Sequence, residues 1–424
     1  MRLAYFADSF LPTHDGVSHF LVYMGRELTR QGHEVTLFTP QSRQRKEDDT
    51  SYGFPVVRLR SLPLPYYPQY RWALLPGAAL AGRAGDFDLV HVHTPGPVGT
   101  TGLFAARHWG IPAVGTFHTN LKDMQQSLPD IWATRAFFRF AWRWNAGLYA
   151  RCDLVTVPQE EGGRLLEGVF THRRAPVEVI PHGVDTSRFR PGVTDVPWAT
   201  RLGANGRPLV LFCGRLTVDK GVHRLLDALA RLPADLPFLG VIAGEGPESE
   251  RVRARTQTEA GLVGRAVYLG TLRESEKPSL FSQSALFALP STADLQPLAL
   301  LEAMASGVAV VVGAQGGPAR MVRSGEDGWA VDPTDPEVLS RALARLLTDP
   351  GLRARLGSSA RARVEALFSQ RQTLRQFLEL YEGVRLGARP VPLGGGPRSL
   401  PGGPPGPREE SPRRGAFTEP SPRG

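Results

Sequence analysis

Residues 290–317 read PSTADLQPLALLEAMASGVAVVVGAQGG, and this stretch predicts the fold of the chain around it. The apolar residues that lead into it predict a buried strand, and the polar residues 291–294 predict a turn after that strand. Across Leu298–Ala305 the apolar residues recur at helical spacing, and Gly307 ends the helix. The apolar run 308–312 predicts a second buried strand. We therefore expect a loop and helix that open at the carboxyl end of a parallel sheet, where open α/β folds bind ligands.

Two carboxylates lie eight positions apart in this stretch, Asp294 in the loop and Glu302 in the helix. Glu302 is flanked by apolar residues, and a charged group in such surroundings needs a partner or a ligand to offset its desolvation. Two interpretations follow from the residues alone. Glu302 either pairs with an arginine inside the fold or binds a ligand at the open end of the sheet.

Apolar strand patterns alternate with helical patterns along the whole chain, and the alternation divides into two halves. In the first half the predicted strands are 3–6, 34–39, 55–60, 88–94, 112–119 and 152–158. In the second half they are 209–213, 239–243, 267–272, 285–290 and 308–312. Two such halves predict an α/β protein of two Rossmann-like domains that face a cleft.

The places where the patterns stop predict the domain boundaries. We expect a first domain at 1–190, an unpatterned linker at 191–207 and a second domain at 208–368. Residues 369–386 predict one more helix. The segment 387–424 is rich in Gly, Pro, Arg and Ser, and we predict that it is disordered because it cannot bury enough apolar surface.

The charge and composition limit the classes of function. The 424-residue chain carries a formal net charge of +9, which suits a nucleotide diphosphate, acidic lipid headgroups or nucleic acid. No apolar run reaches about 18 residues, so no membrane-spanning helix is predicted. The opening residues lack the apolar core of a signal peptide, and two cysteines provide no disulfide framework, so we expect a cytoplasmic protein. No helix-turn-helix, zinc or RNA-binding pattern occurs, and a nucleic-acid partner is not expected.

Two cations, Arg215 and Lys220, follow the predicted strand 209–213 and precede a helix predicted at 222–232. There they could converge with the free N–H groups of the helix start on a diphosphate. The ordinary alternative is that they are solvated surface charges. No paired-acid motif is present to hold a divalent metal, so the cations would stabilise a leaving diphosphate without one.

His93 and His118 each close a predicted strand at the ligand-binding edge of the first sheet. A histidine in that position either serves a site or caps a loop. Together with the nearby His91 they do not form a metal set, because no further ligand stands at a recognisable spacing.

Residues 132–149 predict a helix with arginines on one face and aromatic residues on the adjoining face. The two sets are Arg135, Arg139 and Arg143, and Phe138, Trp142 and Tyr149. Such a helix either lies in the interface of an anionic membrane or packs in the core with a solvated arginine face.

These motifs and their order resemble the retaining glycosyltransferases of family 4, which have the GT-B fold, and among them the bacterial glycolipid hexosyltransferases. The resemblance covers residues 1–385 and includes the carboxylate pair, the Arg215 and Lys220 pair, the Gly-x-Gly-Pro turn at 244–247 and Thr-Phe-His at 116–118. It implies that the last helix crosses back to the first domain.

The resemblance also implies roles for the site residues. Asp294 would contact donor sugar hydroxyls, Glu302 the nucleotide ribose, and Arg215 and Lys220 the diphosphate, with His118 near the sugar 6-hydroxyl. Asp294 stands where the family usually has Glu, so its reach is one methylene shorter.

Five further residues are implied on the donor side. The amide of Gly16 would lie over the diphosphate and Gly244 near the nucleotide, while Gln296, Pro297 and Leu298 would line the donor. Pro297 replaces the usual Gly and removes one backbone donor.

The implied reaction moves a hexose from a UDP- or GDP-sugar with retained configuration, through same-face attack. His118, Asp294, Arg215 and Lys220 would act in catalysis, with no permanently bound cofactor and no metal. The motif wording and the basic, aromatic first domain resemble enzymes acting on diacylglycerol or phosphatidylinositol-type lipids, which implies peripheral contact with the anionic inner face of a membrane. Two alternatives stay open: a soluble acceptor such as a sugar phosphate or small metabolite, and a nucleotide-sugar 2-epimerase with the same fold.

Overall fold

The computed structural model describes residues 1–11, 16–41, 49–63, 71–74, 79–80, 82–118, 132–168, 175–292 and 294–387. Apart from Gly387, the tail predicted to be disordered lies outside the described residues.

The first domain is built on a parallel sheet of seven strands. Its strands and a small hairpin are β1 Arg2–Phe6, β2 Glu34–Pro40, β3 Val56–Leu59, β4 Ser61–Pro63, β5 Arg71–Ala73, β6 Leu89–Val92, β7 Ala113–Thr116, β8 Leu154–Val157 and β9 Val177–Val179. The sheet order is β3-β2-β1-β6-β7-β8-β9, and β4 pairs with β5 in the antiparallel hairpin. Every residue of β6, β7 and β8 is buried, as expected for parallel strands covered on both faces.

Within the described part of this domain the helices are α1 Gly16–Arg30, α2 Pro97–Trp109, α3 Trp132–Tyr149 and α4 Glu160–Glu167. Side chains of α2 and α3 contribute to the core on one face, and side chains of α1 contribute to the core on the other. Gly16, whose amide the family resemblance placed over the diphosphate, is the first residue of α1.

The second domain has a six-stranded parallel sheet. Its strands are β10 Leu209–Cys213, β11 Leu239–Ala243, β12 Ala266–Gly270, β13 Leu286–Leu289, β14 Ala309–Gly313 and β15 Trp329–Val331, in the order β12-β11-β10-β13-β14-β15. Its helices are α5 Trp198–Arg201, α6 Val222–Ala230, α7 Ser249–Thr258, α8 Lys277–Gln283, α9 Leu298–Ala305, α10 Gly316–Met321, α11 Pro336–Thr348 and α12 Pro350–Leu367. The two α/β domains confirm the predicted fold class, and the described residues of 290–317, which exclude residue 293, form the expected loop, helix and strand.

The segment predicted as the linker, 191–207, packs against the second domain in the structure. It contains α5, and the Trp198 side chain is 2% exposed within the second core. The Val193 amide donates to Ser282 Oγ at 3.0 Å. An unpatterned sequence therefore holds one large apolar anchor, and the chain reaches the second domain before residue 191.

The last helix, α13 Gln370–Arg385, crosses back to the first domain as the family resemblance implied. Its residues Phe377 and Tyr381 are buried in the core formed by α1 and β1. At the crossing, the Val184 amide donates to the Phe368 carbonyl at 2.8 Å, and the Gln370 amide donates to the Val184 carbonyl at 3.0 Å. The two segments in which the chain passes between the domains, at Val184 and at 368–370, are therefore hydrogen-bonded to each other. None of the helices within the described ranges has both the length and the apolar character that a membrane crossing requires.

Candidate active site

Two predicted site residues, Lys220 and Asp294, form an ion pair between Nζ and Oδ1. They come from the loops after β10 and β13, which are adjacent strands. Asp294 is 8% exposed, and its Oδ2 is buried with no hydrogen-bond partner within the described part of the chain. Gly221 makes the close approach of the loops possible, because its φ is +75° and a Cβ there would lie 2.2 Å from the Pro290 carbonyl oxygen.

Arg215 lies in the same loop as Lys220 and is exposed. No hydrogen bond or ion pair of its guanidinium is found among the residues that the structure describes. Gly244 lies directly beside this loop, with a φ of +130°, and a Cβ on it would lie 1.8 Å from the Gly214 carbonyl oxygen. The close packing of the two backbones therefore requires glycine at position 244. Arg215, in the adjacent loop, is exposed to solvent.

Glu302 is half-buried on α9, and its desolvation raises the pKa of the carboxyl group. The positive charge of Lys277 opposes this shift, Glu274 adds to it, and Arg188 opposes it more weakly. Lys277 Nζ lies 2.5 Å from Glu274 Oε1, and Arg188 also pairs with Glu274. The first interpretation of Glu302 expected an arginine partner, and the structure places a lysine as its main cationic neighbour.

The loop before α9 touches the first domain. The Gln296 amide is engaged at both ends: its Oε1 accepts the His182 backbone N–H at 2.8 Å, and its Nε2 donates to the His182 carbonyl at 3.2 Å. Pro297 caps the start of α9 with extended backbone. Leu298 faces the start of α1, since a Cβ on Gly16 would lie 3.4 Å from Leu298 Cδ1. Predicted donor-loop residues thus also join the two domains.

Four histidines gather at the carboxyl edge of the first sheet. His93 Nδ1 lies 3.1 Å from His118 Nε2, and His118 Nδ1 lies 3.3 Å from His182 Nε2. His91 hydrogen-bonds the Tyr381 hydroxyl at 2.7 Å and the Thr116 hydroxyl at 2.6 Å instead. Burial lowers the pKa of His91, His93 and His118 well below the usual value, and lowers that of His182 to about 4.

His182 was not predicted as part of the site. It follows β9, and its neighbour in space, His118, follows β7, so both lie at the same sheet edge although 64 positions separate them. The signal for it was the pattern already used for His93 and His118, a histidine shortly after a buried strand. Within the described ranges, no three metal-binding side chains converge on one point.

Asp8, which the sequence analysis did not single out, caps the N-terminus of α2. Its Oδ1 accepts the Val98 N–H at 2.8 Å, and its Oδ2 accepts the Gly99 N–H at 3.3 Å and the Thr94 hydroxyl at 2.8 Å. Burial raises the pKa of this carboxyl group, and the backbone hydrogen bonds from α2 partly offset the shift. The N–H groups at this helix start are therefore satisfied by the protein itself.

Helix α3 combines a core face with an exposed aromatic surface. Phe138 and Tyr149 are 3% and 1% exposed and belong to the core, which agrees with the core-packing interpretation for these two residues. Other aromatic residues of this helix are exposed. They are Trp132 at 83%, Phe137 at 62%, Phe140 at 64% and Trp144 at 50%.

Comparison with known proteins gives a consistent result over both domains. Residues 199–363 match the model of the glycosyl transferases group 1, and residues 14–188 match that of glycosyltransferase family 4. A GDP-mannose-dependent alpha-mannosyltransferase of Mycolicibacterium smegmatis is 32% identical, over 86% of this chain and 93% of the relative. A D-inositol 3-phosphate glycosyltransferase of Salinispora arenicola is 33% identical, over 72% of this chain and 70% of its own.

A solved structure shares the fold. The Anabaena protein HepE in complex with UDP-glucose superposes with a TM-score of 0.72 at 22% identity, over 90% of this chain and 100% of its own. The likeness extends across both domains.

Proposed function

The chain belongs to the glycosyltransferases of group 1 and family 4 and is a nucleotide-sugar glycosyltransferase, and on that premise we propose that it transfers a hexose to a lipid acceptor with retained configuration. The observation that carries the proposal is the ion pair between Lys220 and Asp294, which joins the loops after β10 and β13, with Arg215 in the first of these loops and Glu302 on the helix that follows the second. The carboxyl edge of the second sheet faces the histidines of the first sheet across the cleft.

The positions of the charged side chains support the roles that we propose for them. Arg215 is exposed and lies in the same loop as Lys220, so the two cations can take up the charge that develops on a leaving diphosphate. The Asp294 carboxylate has one oxygen on Lys220 and one with no partner among the described residues, and the second oxygen can accept a sugar hydroxyl. Glu302, further along α9, is assigned to the ribose.

GDP-mannose is the first donor to test. The relatives from Mycolicibacterium smegmatis and Corynebacterium glutamicum are GDP-mannose-dependent alpha-mannosyltransferases, whereas HepE was solved with UDP-glucose. Both nucleotides are therefore offered in the assay.

A lipid acceptor is supported by apolar surface on the first domain. The hairpin β4–β5 exposes Leu62 and Trp72, a directly opposed cross-strand pair, at 57% and 55%. Helix α3 exposes four aromatic side chains, and Arg139 and Arg143 on the same helix lie outside the core. Aromatic and basic side chains displayed together suit an anionic membrane surface, and we infer peripheral contact there.

A soluble acceptor is the second candidate. The D-inositol 3-phosphate glycosyltransferase of Salinispora arenicola is 33% identical over 72% of this chain, against 32% over 86% for the mannosyltransferase of Mycolicibacterium smegmatis. A sugar phosphate would use the same donor site and would not need the exposed aromatic residues. The 2-epimerase alternative would form product with no acceptor at all.

The test measures nucleotide diphosphate release from GDP-mannose, UDP-glucose, UDP-galactose and UDP-N-acetylglucosamine. Each donor is offered with diacylglycerol and phosphatidylinositol in anionic liposomes, with D-inositol 3-phosphate, and with no acceptor. Glu302→Ala is compared with Glu379→Ala, a control whose side chain is 72% exposed on α13. We expect release that requires the liposomes, that Glu302→Ala abolishes and that Glu379→Ala leaves unchanged.

Each other outcome has a distinct meaning. Release with D-inositol 3-phosphate alone would replace the lipid proposal with the soluble acceptor. Product formed from the donor alone would favour the epimerase. The anomeric configuration of the purified product, read by NMR against that of the donor, decides retention.

A further inference from the structure

Three imidazoles stand in a single hydrogen-bonded row, His93–His118–His182, which we call the histidine chain. The contacts are His93 Nδ1 to His118 Nε2 at 3.1 Å and His118 Nδ1 to His182 Nε2 at 3.3 Å. Both ring nitrogens of the central histidine are therefore engaged by other histidines. The orientation and the tautomer of His118 cannot change without a change in one of its neighbours.

The hydrogen bonds of the histidine chain all run in one direction. A neutral imidazole carries one N–H, so a donor at one ring nitrogen leaves an acceptor at the other. Burial keeps all three rings neutral near pH 7 by lowering the pKa of each. The outer nitrogens, His93 Nε2 and His182 Nδ1, are both buried with no hydrogen-bond partner among the described residues. In either direction, one outer nitrogen carries a proton and the other a lone pair.

The surroundings hold each ring in place. The Phe20 ring meets His118 and His182 edge to face, with centroids 5.3 Å apart in both pairs. The backbone of His182 is held by Gln296 from the second domain. On the other side, His93 packs 4.7 Å from the Tyr5 ring and is 1% exposed. The outer rings thus have fixed positions on both sides of His118.

We propose that His93 and His182 are positioning residues that fix the ring plane and the tautomer of His118 at the reacting centre. The assignment rests on the proposed function in one respect, that His118 lies beside the donor sugar. A sugar hydroxyl beside His118 then meets a ring whose plane and tautomer the two neighbouring histidines already hold. A fixed ring removes the need to reorganise it during the reaction.

The two outer histidines use different nitrogens, and this allows a crossed test. The amide of Gln reaches as far as a histidine Nε2, and the shorter amide of Asn reaches as far as Nδ1. At position 182, where Nε2 makes the bond, His182→Gln should restore the chain and His182→Asn should break it. At position 93, where Nδ1 makes the bond, His93→Asn should restore the chain and His93→Gln should break it.

The first readout is the tautomer of His118, measured without substrate on ¹⁵N-histidine-labelled protein from the ring nitrogen shifts and two-bond proton couplings. The second is the split between kcat and donor KM. The two breaking variants are expected to give a mixed His118 tautomer and a kcat reduced by about tenfold or more, with donor KM within about twofold. The two restoring variants are expected to stay close to wild type in both measurements.

Tyr381→Phe is the matched control. It removes a hydroxyl that bonds His91 and Tyr5, immediately beside the histidine chain, and leaves the chain itself intact. We expect a lower Tm with an unchanged His118 tautomer and an unchanged kcat.

The outcomes separate this inference from the proposed function. If folded His182→Asn and His93→Gln keep the wild-type tautomer and kcat, the neighbours only pack against His118 and the inference is wrong. Equal effects of Gln and Asn at each position would overturn it as well. If wild type turns over no donor, the proposed function fails. The His118 tautomers of the variants still decide whether the histidine chain exists.

Discussion

Lys220→Met is expected to destabilise the second domain even though Lys220 lies at the edge of the cleft. The variant keeps the length of the side chain and removes its charge, so the Asp294 carboxylate loses the partner of Oδ1. Its Oδ2 is already buried without a partner in the described part of the chain. Breaking a buried ion pair from one side costs about 3–5 kcal/mol. Because the Lys220 side chain is 24% exposed and water screens part of the interaction, we expect a loss of about 2–3 kcal/mol.

The assay is a double-mutant cycle in urea, without donor, on wild type, Lys220→Met, Asp294→Asn and the double variant. The double variant should recover most of the lost stability because it leaves no buried charge, which gives a coupling free energy of about 2 kcal/mol. Arg375→Met serves as the control, since its ion pair with Glu379 is exposed on both sides, and its effect should stay within about 0.5 kcal/mol.

Activity separates the structural role of the pair from its role in transfer. The double variant should stay inactive although it is stable, because in the proposed function Lys220 serves the diphosphate and Asp294 the sugar. A Lys220→Met protein with the urea midpoint of wild type, or a double variant no more stable than that single variant, would refute the reasoning.

Arg215→Met should leave the urea midpoint unchanged because the side chain is exposed, and it should lower kcat/KM for the donor by about 100-fold. A fall in the urea midpoint together with the fall in kcat/KM would show a structural role instead. Glu302→Gln should raise the Tm at pH 7.5, because desolvation raises the pKa of the folded carboxyl group and stability is lost as pH rises through that pKa; an unchanged Tm would contradict this. Burial lowers the pKa of His182 in the folded state to about 4, below its unfolded value of about 6.5, so the unfolded chain binds the proton first. As the pH is lowered from about 6.5 to about 4, the free energy of unfolding should therefore fall by at most about 1.4 kcal/mol per pH unit. His182→Gln should flatten the urea midpoint profile over that range, and an equally steep profile would count against the assignment.

The elements that the sequence predicted best are the buried parallel strands. The strand at Leu209–Cys213 has the predicted bounds, because a strand covered on both faces needs continuous apolar residues. The helix at Leu298–Ala305 also has the predicted bounds. The hairpin β4–β5 was not predicted. Its strands have three residues each and expose Leu62 and Trp72, so no burial pattern identifies them.

The burial of Trp198 was also missed, since one apolar anchor in a segment with Gly, Pro and Thr has no periodicity. Asp8 has no local pattern either, because its partners are backbone N–H groups about 90 positions away. In both cases a single long-range contact, rather than a repeat along the chain, decides the role of the residue.

The sequence by itself therefore determined the α/β class and most strands and helices, and it supplied the residues of the proposed donor site, because burial periodicity and strand-end positions are local properties. Only the tertiary structure decided which of those residues meet. Lys220 pairs with Asp294 because β10 lies beside β13, and His118 lies between His93 and His182 because β6, β7, β8 and β9 are consecutive in the sheet. Strand order brings together loops that are 25 to 74 positions apart, and no local pattern of side chains encodes that order.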